Sequence, residues 1–407
     1  MRGIPSDFLL LFFALLFLVE SISYFGLRKL IKNFTLKFEN LLCLFYLFIS
    51  VSINAFGYYI FSHPEITIQN QDYSLFLAAT TLTILNLIPK IFFSVMTIFS
   101  WGLKIFTSTQ RLPLIILCGS LILAVGVFGT ILTGIILGRK TIHVEDKHLY
   151  FIDLPKQLDG IRIVQLSDIH LGSLNKDPQL LIKAREIIDR VNPDLLVFTG
   201  DIVNNFGKEM SGFDSYLEKL TARYGKYAIE GNHDYGDYST WPDSIGKAIN
   251  KNLIRNKLVN NGFNLLLNNW VKVSIRDTSL YIIGVENWGH SPFPKYAQLE
   301  QATDSLPEKS FKILLSHDPA HWDAEVVTKT NIPLTLSGHT HGGQLGIKIA
   351  GIEFSPLYLY QKRWGGLYKS GQQYLYVNRG LGTIGFEGRI DMNPEITILN
   401  LHKTKDR

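Results

Sequence analysis

The sequence predicts a chain in two parts: an α-helical transmembrane anchor over residues 1–140, then a mixed α/β (α+β) domain over residues 141–407 built from two packed sheets covered by helices. Three observations carry that reading. The first 140 residues hold four long stretches rich in Leu, Ile, Phe and Val. Beyond Lys140, short apolar runs alternate with polar, helix-like stretches, the texture of a layered sheet domain. The short runs outnumber the helical stretches, which fits two packed sheets better than one Rossmann sheet. A chain of 407 residues also favours two parts over one compact domain.

The apolar stretches cover residues 8–25, 41–61, 73–103 and 112–137. A spanning helix needs about 20 apolar residues, and the last three clear that length. The first is shorter and contains Glu20, but no small-residue cleavage site follows it, so it reads as a retained anchor rather than a signal peptide. In the third, Pro89 can be accommodated by a kink. Lys90 reads as snorkelling to an interface rather than marking a polar pathway. Lys and Arg in short loops set orientation. Arg28, Lys29, Lys32 and Lys37 lie between the first two stretches, Lys104 and Arg111 between the last two, and none between the second and third. That pattern places both termini and the large domain outside the cytoplasm of a cell-membrane protein, with Arg139 and Lys140 weighing the other way.

The formal net charge of +5 comes from nearly balanced basic and acidic residues, 40 and 35, so no nucleic-acid-binding stripe is expected. Only Cys43 and Cys118 are present, both in the apolar stretches, which excludes a disulfide framework in the polar part.

In the polar part, strands are expected at 150–154, 161–166, 195–199, 280–285, 311–315, 334–336, 374–377 and 396–401. Helices are expected at 177–190, where Leu180, Leu181, Ala184, Ile187 and Ile188 follow helical spacing, and at 213–223 and 245–259. Oxygen and nitrogen donors recur just after the apolar runs. Asp168 and His170 follow 161–166, Asp201 follows 195–199, and Asn232, His233 and Asp234 follow the run 226–229. His317 follows 311–315, and Gly338-His339-Thr340-His341 follows 334–337. Singly, most of these fit turn chemistry or a surface pair. Jointly, five blocks at strand ends point to one sheet edge, where ligands collect in open sheets. Two imidazoles at i and i+2 leaving a strand point to opposite sides, which suits two metal ions better than one.

In order and spacing, Asp168-x-His170, Gly200-Asp201, Gly231-Asn232-His233-Asp234, His317 and Gly338-His339-Thr340-His341 resemble the five motifs of the calcineurin-like metallophosphoesterases. The stretches 163–172 and 338–345 look like its membrane-associated branch of bacterial YkuE-type and YaeI-type phosphoesterases. The resemblance implies a four-layer αββα sandwich. It implies one cation held by Asp168, His170, Asp201 and His341, and a second held by Asp201, Asn232, His317 and His339, with Asp201 bridging. His233 would face the substrate as the catalytic imidazole, with Asp234 orienting it. The chain departs from many relatives after Gly200-Asp201, where Ile202-Val203-Asn204-Asn205 lacks a further charged residue to support the bridging carboxylate.

Two divalent ions held about 3.5–4 Å apart clamp a phosphoryl oxygen and lower the pKa of a shared water. The mixed carboxylate, amide and imidazole donors suit Mn, Fe or Zn rather than Mg or Ca. The expected function is therefore hydrolysis of a phosphomonoester, phosphodiester or diphosphate, in a small-molecule or lipid-linked substrate, with His233 as general acid. The rival is a membrane sensor or binding protein on a retained fold, which has no chemical need of His233 beside a full ligand set. Tyr235, Tyr238, Trp241, Trp288, Phe293 and Tyr296 are candidates for an apolar rim, against plain loop packing. Arg379 and Arg389 are candidates for phosphate contact, against solvated arginines in a structural loop.

Overall fold

The computed structural model describes residues 5–32, 34–106, 109, 111–290, 294–349 and 352–404. It divides into two compact units: Met1–Ile136 with Gly385–Gly388, and Leu137–Ile384 with Arg389–Arg407.

The first unit is helical. It contains α1 (Ser6–Ile31), α2 (Leu36–Ser62), the short α3 (Glu65–Asn70), α4 (Ser74–Phe106) and α5 (Arg111–Ile136). Four of these are long and apolar enough to cross a membrane, with mean hydropathy between 1.8 and 2.6. Helix α4 continues through Pro89. Lys90 does not snorkel: it turns into the bundle, where Nζ donates to Glu20 Oε1 at 3.0 Å and Oε2 at 2.9 Å. It also donates to Asn86 Oδ1 at 2.6 Å and Ser50 Oγ. Tyr46 Oη and Asn86 Nδ2 donate to the same carboxylate, both at 2.8 Å. The physical reason is mutual. Glu20 and Lys90 each lie on a helix too apolar to solvate a charge, and each is the other's counter-ion, so pairing α1 with α4 gives both a partner at once.

Replacing Lys90 alone, as Lys90→Met, leaves the Glu20 carboxylate buried without its cation. The expected loss is about 3–5 kcal/mol of stability, read as a lower unfolding midpoint in detergent. Adding Glu20→Gln should recover most of it. A single variant no less stable than the double would show that the pair does not hold α1 to α4.

The second unit carries β1 (His143–Phe151), β2 (Ile161–Leu166), β3 (Leu195–Phe198), β4 (Lys226–Ala228), β5 (Phe263–Leu265), β6 (Asn269–Ile275) and β7 (Thr278–Gly284). It continues with β8 (Phe311–Leu315), β9 (Leu334–Ser337), β10 (Ile347–Ile349), β11 (Ile352–Phe354), β12 (Gly366–Ser370), β13 (Gln373–Val377) and β14 (Glu395–Lys403). Its helices are α6 (Gln179–Val191), α7 (Asp214–Glu218), α8 (Ser244–Asn260) and α9 (Leu299–Thr303), with a π-helical turn at Trp322–Val326 that runs on into the short α10 (Val327–Lys329).

Two six-stranded sheets form, in the orders β1-β14-β2-β3-β4-β5 and β12-β13-β9-β8-β7-β6. The inner faces meet in one apolar core that includes Ile163, Leu195 and Val197 from the first sheet and Ile282, Ile313 and Leu336 from the second. The outer face of the first sheet packs Val164, Leu196 and Phe198 against Leu181, Ala184 and Ile188 of α6 and Ile254 and Leu258 of α8. The outer face of the second packs Leu314 and Leu375 against Leu299 and Trp322. The layers are thus α, β, β, α. Strands β2 to β4 run parallel, as do β7 to β9. Their near-continuous apolar sequences are what burial on both faces demands.

Several elements differ from expectation. The first strand is β1, earlier than 150–154, and pairs in parallel with β14. Its consecutive charged residues Glu145, Asp146 and Lys147 suit an edge strand. The helix expected at 213–223 ends at Glu218, because the Arg223 and Tyr224 N–H groups leave it to donate to Pro193 O and Asp194 O, at 3.1 and 2.8 Å. Strands β5, β6, β10, β11 and β12 are additional, and β6 and β12 are half-exposed edge strands with weak patterning.

Candidate metal centre

The C-terminal ends of β2, β3 and β4 in one sheet and β8 and β9 in the other deliver all five donor blocks. Asp168, His170 and His341 form one group of donors, and Asp201, His317 and His339 a second; within each, the ligand atoms lie within 4.8 Å of one another. The Asp201 carboxylate lies between the groups, with Oδ2 at 3.7 Å from His170 Nε2 and 3.1 Å from His317 Nε2. Asn232 Oδ1 completes the second group, at 2.9 Å from His317 Nε2 and 2.8 Å from His339 Nδ1. In the first, His170 Nε2 is 3.0 Å from His341 Nε2, which is 3.4 Å from Asp168 Oδ1.

The backbone is bent to achieve this. Asp168, His170, Asp201, His339 and His341 all have φ between 46° and 73°. Non-glycine residues take the left-handed region at a cost of order 1–3 kcal/mol each, and such strain clusters at functional sites. Glycine is required where blocks touch. A Cβ on Gly338 would lie 1.9 Å from Ser167 Oγ, and one on Gly231 would lie 2.2 Å from Asp201 Oδ1.

Backbone carbonyls aim the imidazoles. His170 Nδ1 donates to Val203 O at 3.1 Å and His317 Nδ1 to Thr199 O at 2.7 Å, which turns each Nε2 toward the site. Burial pushes His170 down to about 3, and burial likewise lowers His339 and, with His170 and Arg389 nearby, His341. These rings are neutral donors. At His317 burial is outweighed by Asp201 and Asp168, which lift it to about 10. Burial would raise Asp201, but His317 and His233 hold it well below the usual carboxylate range. Burial raises Asp168 to about 7. A carboxylate that needs a proton on its neighbouring imidazole is a carboxylate short of a cation. The donor set fits divalent cations on that ground and by its chemistry, since imidazole, amide and carboxylate are borderline ligands.

His233 stands at the half-exposed mouth. Its Nδ1 donates to Asn204 O at 2.7 Å, and its ring stacks on Tyr238 at 4.2 Å with a 7° interplanar angle. Its Nε2 makes no hydrogen bond among the described residues. The expected support from Asp234 takes another form. That carboxylate accepts from the N–H groups of Asp201, Ile202, Val203 and Gly231, at 2.8, 2.9, 3.3 and 2.9 Å, and not from the imidazole. Four inward-pointing amides around a strained turn are stronger claimants for a buried carboxylate than a ring already satisfied by a carbonyl. Asp234 therefore builds the Asp201 turn, and Asn204 O orients His233.

The missing charge after Gly200-Asp201 is supplied from further along. Glu209, at the third position of a following turn, accepts from the N–H groups of Asn204, Asn205 and Phe206 at 2.6, 3.0 and 2.9 Å. An acid at the N-terminal turn position was the one sequence signal for it. Tyr238 Oη accepts from Asn232 Nδ2 at 2.7 Å, a role no motif announced. Asp318, directly after His317 in the chain, pairs with His290 at 2.7 Å.

Of the two readings of the aromatic residues, loop packing holds for most of them. Tyr235 is buried and stacks on Tyr296, Trp288 stacks on His321, and Trp241 Nε1 donates to Gly236 O. Phe293 lies outside the described residues, and of this set Tyr238 alone touches a site residue, His233 and Asn232. The arginines are neither phosphate-facing nor solvated. Arg389 is fully buried and donates to the carbonyls of Gly382, Met392 and Arg379. Arg379 is buried among Glu353, Glu395 and Glu145.

Residues 161–343 match the family described as calcineurin-like phosphoesterase. The chain is 36% identical over 260 residues to the uncharacterized metallophosphoesterase YkuE of Bacillus subtilis, covering 62% of this chain and 82% of that one. It is 28% identical over 306 residues to a Chlamydia muridarum protein named UDP-2,3-diacylglucosamine pyrophosphatase LpxG, covering 60% and 86%. It is 28% identical over 274 residues to the transmembrane protein with metallophosphoesterase domain of Danio rerio, covering 65% of this chain and 58% of the relative.

Proposed function

The chain belongs to the calcineurin-like phosphoesterases, and from that premise we propose that it is a membrane-anchored phosphoesterase using two divalent cations to hydrolyse a phosphate ester or diphosphate carried by a lipid. One observation carries the catalytic reading: seven donors from five strand ends converge in two adjoining groups, with a fixed imidazole beside them whose Nε2 has no hydrogen-bond partner among the described residues. When bound, the cations would polarise the phosphoryl oxygens and make water a stronger nucleophile. Asp168, His170, Asp201 and His341 would hold one, and Asp201, Asn232, His317 and His339 the other.

The remaining chemistry belongs to the chain's own groups. With Nδ1–H held by Asn204 O, His233 presents Nε2 to the departing oxygen and delivers a proton from its protonated form. Tyr238 keeps the ring plane fixed and holds the Asn232 amide so that Oδ1 turns inward. Asp234 and Glu209 hold the loop that carries both Asp201 and the Asn204 carbonyl.

The lipid part of the reading is supported by the four apolar helices and by the pyrophosphatase named for a diacylated sugar nucleotide among the relatives. The basic residues of the short loops support a catalytic domain outside the cytoplasm. Topology reporters fused after Leu137 test that side, and a cytoplasmic signal contradicts it. The substrate class is tested with the full chain in nanodiscs, offering aryl phosphomonoester, aryl phosphodiester and a lipid-linked diphosphate with Mn added. Turnover of the lipid substrate above the water-soluble ones supports the proposal. Preference for a soluble ester would leave an anchor that only fixes location.

A further inference from the structure

Immediately after the His339 to His341 block the chain does something the core does not require. Strands β10 and β11 form an isolated two-stranded hairpin, with Ile347 opposite Phe354. Every residue of β10 is exposed, so neither face of it packs. The turn that follows, Pro356–Leu359, continues the pattern. Leu345, Ile347, Ile349, Phe354, Tyr358, Leu359 and Tyr360 are all exposed, Leu359 at 76% and Tyr360 at 89%. A contiguous apolar patch on a folded domain marks an interaction surface.

From this we infer that the exposed side chains of Leu345, Ile347, Ile349, Phe354, Tyr358, Leu359 and Tyr360 form an interfacial membrane anchor, seated in the headgroup and upper acyl region of the bilayer that holds the apolar helices. Three features select a bilayer. First, the composition combines aliphatic side chains with tyrosines and flanking cations, the mixture that settles at membrane interfaces. Second, residues 345–370 contain Lys348, Lys362, Arg363 and Lys369 against one acid, Glu353; Lys348 and Arg379 pair with that acid and Arg363 pairs with Asp323, which leaves Lys362 and Lys369 without an ion pair among the described residues. The surplus is complementary to anionic lipid. Third, the second unit begins at Leu137, directly after α5, so no linker separates the domain from the last apolar helix. A tethered patch needs only weak intrinsic affinity, because its effective concentration at the membrane is already high.

The hairpin is also mechanically joined to the site. Ser355 Oγ donates to Gly342 O at 2.7 Å and lies 2.9 Å from Leu345 O, so the patch and the loop carrying His341 share one hydrogen-bonded corner. An anchor at this position would hold the loop that carries His341 beside the membrane surface, where a lipid's phosphate is presented. This use of the anchor rests on the proposed lipid substrate, whereas the anchoring itself does not.

The test uses the full chain with Cys43 and Cys118 replaced by Ala, carrying Leu359→Cys labelled with an environment-sensitive fluorophore. Val259→Cys, on exposed α8 surface, is the control. Both are reconstituted into phosphatidylcholine vesicles with and without phosphatidylglycerol, containing lipids with a nitroxide high on the acyl chain. Because interfacial segments bury about 5–10 Å into the headgroup boundary, quenching at 359 should exceed that at 259 by about twofold or more. Equal quenching at the two positions overturns the inference. So does a blue shift at 359 that follows protein density without nitroxide quenching, since a second copy would then cover the patch. In a separate arm, Leu359→Asp with Tyr360→Asp should reduce turnover of a lipid-borne phosphate while sparing a soluble aryl ester. If quenching holds but the wild type turns over no phosphate substrate, the catalytic reading fails and the anchor stands.

Discussion

His233→Ala is expected to keep both cation sites and to lose turnover by about 10² to 10⁴ fold, the usual contribution of a positioned proton donor. The separation is possible because of how the residue is attached. Its tie to Asp201 is through the backbone N–H, at 2.8 Å from Oδ1, and survives removal of the ring. The ring itself touches the centre edge-on, 5.0 Å from the His170 ring centroid, and is not needed to place any ligand atom. Steady-state rates with bound cation measured on the same sample check this. The loss should be greatest for an alkyl leaving group, which needs its proton, and smallest for an acidic aryl one. A uniform loss across leaving groups would point to a binding role instead, and full rate would remove His233 from the chemistry.

Asp201→Asn has the second large effect, through the cations themselves. The substitution keeps the shape and one oxygen but removes the charge that lies between the two donor groups. Bound cation should fall below two per chain. With it goes several kcal/mol of transition-state stabilisation, about 10³-fold in rate. Raising the cation concentration should restore only part of that. A variant that binds two cations as tightly as the native chain would remove Asp201 from the bridging position. Asp234→Asn is the informative companion: its carboxylate holds four backbone amides, so its loss should loosen the Asp201 turn and lower thermal stability as well as rate.

What could be read from the sequence and what could not follow a physical line. The central strands declare themselves because burial on both faces demands continuous apolar runs, and 161–166, 311–315 and 334–336 are where strands lie. The edge strands β1, β6 and β12 are half in water, so their patterns are diluted and their limits shifted or missed. The candidate ligands were legible because chemistry restricts which side chains can serve. The supports were not, because a carbonyl such as Asn204 O or Thr199 O carries no residue-type signature. Asp234 was assigned a neighbour in sequence, whereas a buried carboxylate goes to whichever donors lack partners. The partnership of Glu20 with Lys90 spans 70 positions, and a charge seen alone invites the snorkelling explanation. Only folding the helices together shows the counter-ion.

The most direct measurement is a cation titration of the full chain in nanodiscs. The protein is stripped with chelator, Mn is returned in steps, and bound cation by elemental analysis is compared at each step with turnover of an aryl phosphodiester. The expected result is activity that appears as occupancy passes one and reaches its plateau near two cations per chain, with His233→Ala loading equally and turning over little. Full activity at zero or one cation, or no binding at any concentration, would contradict the dinuclear centre.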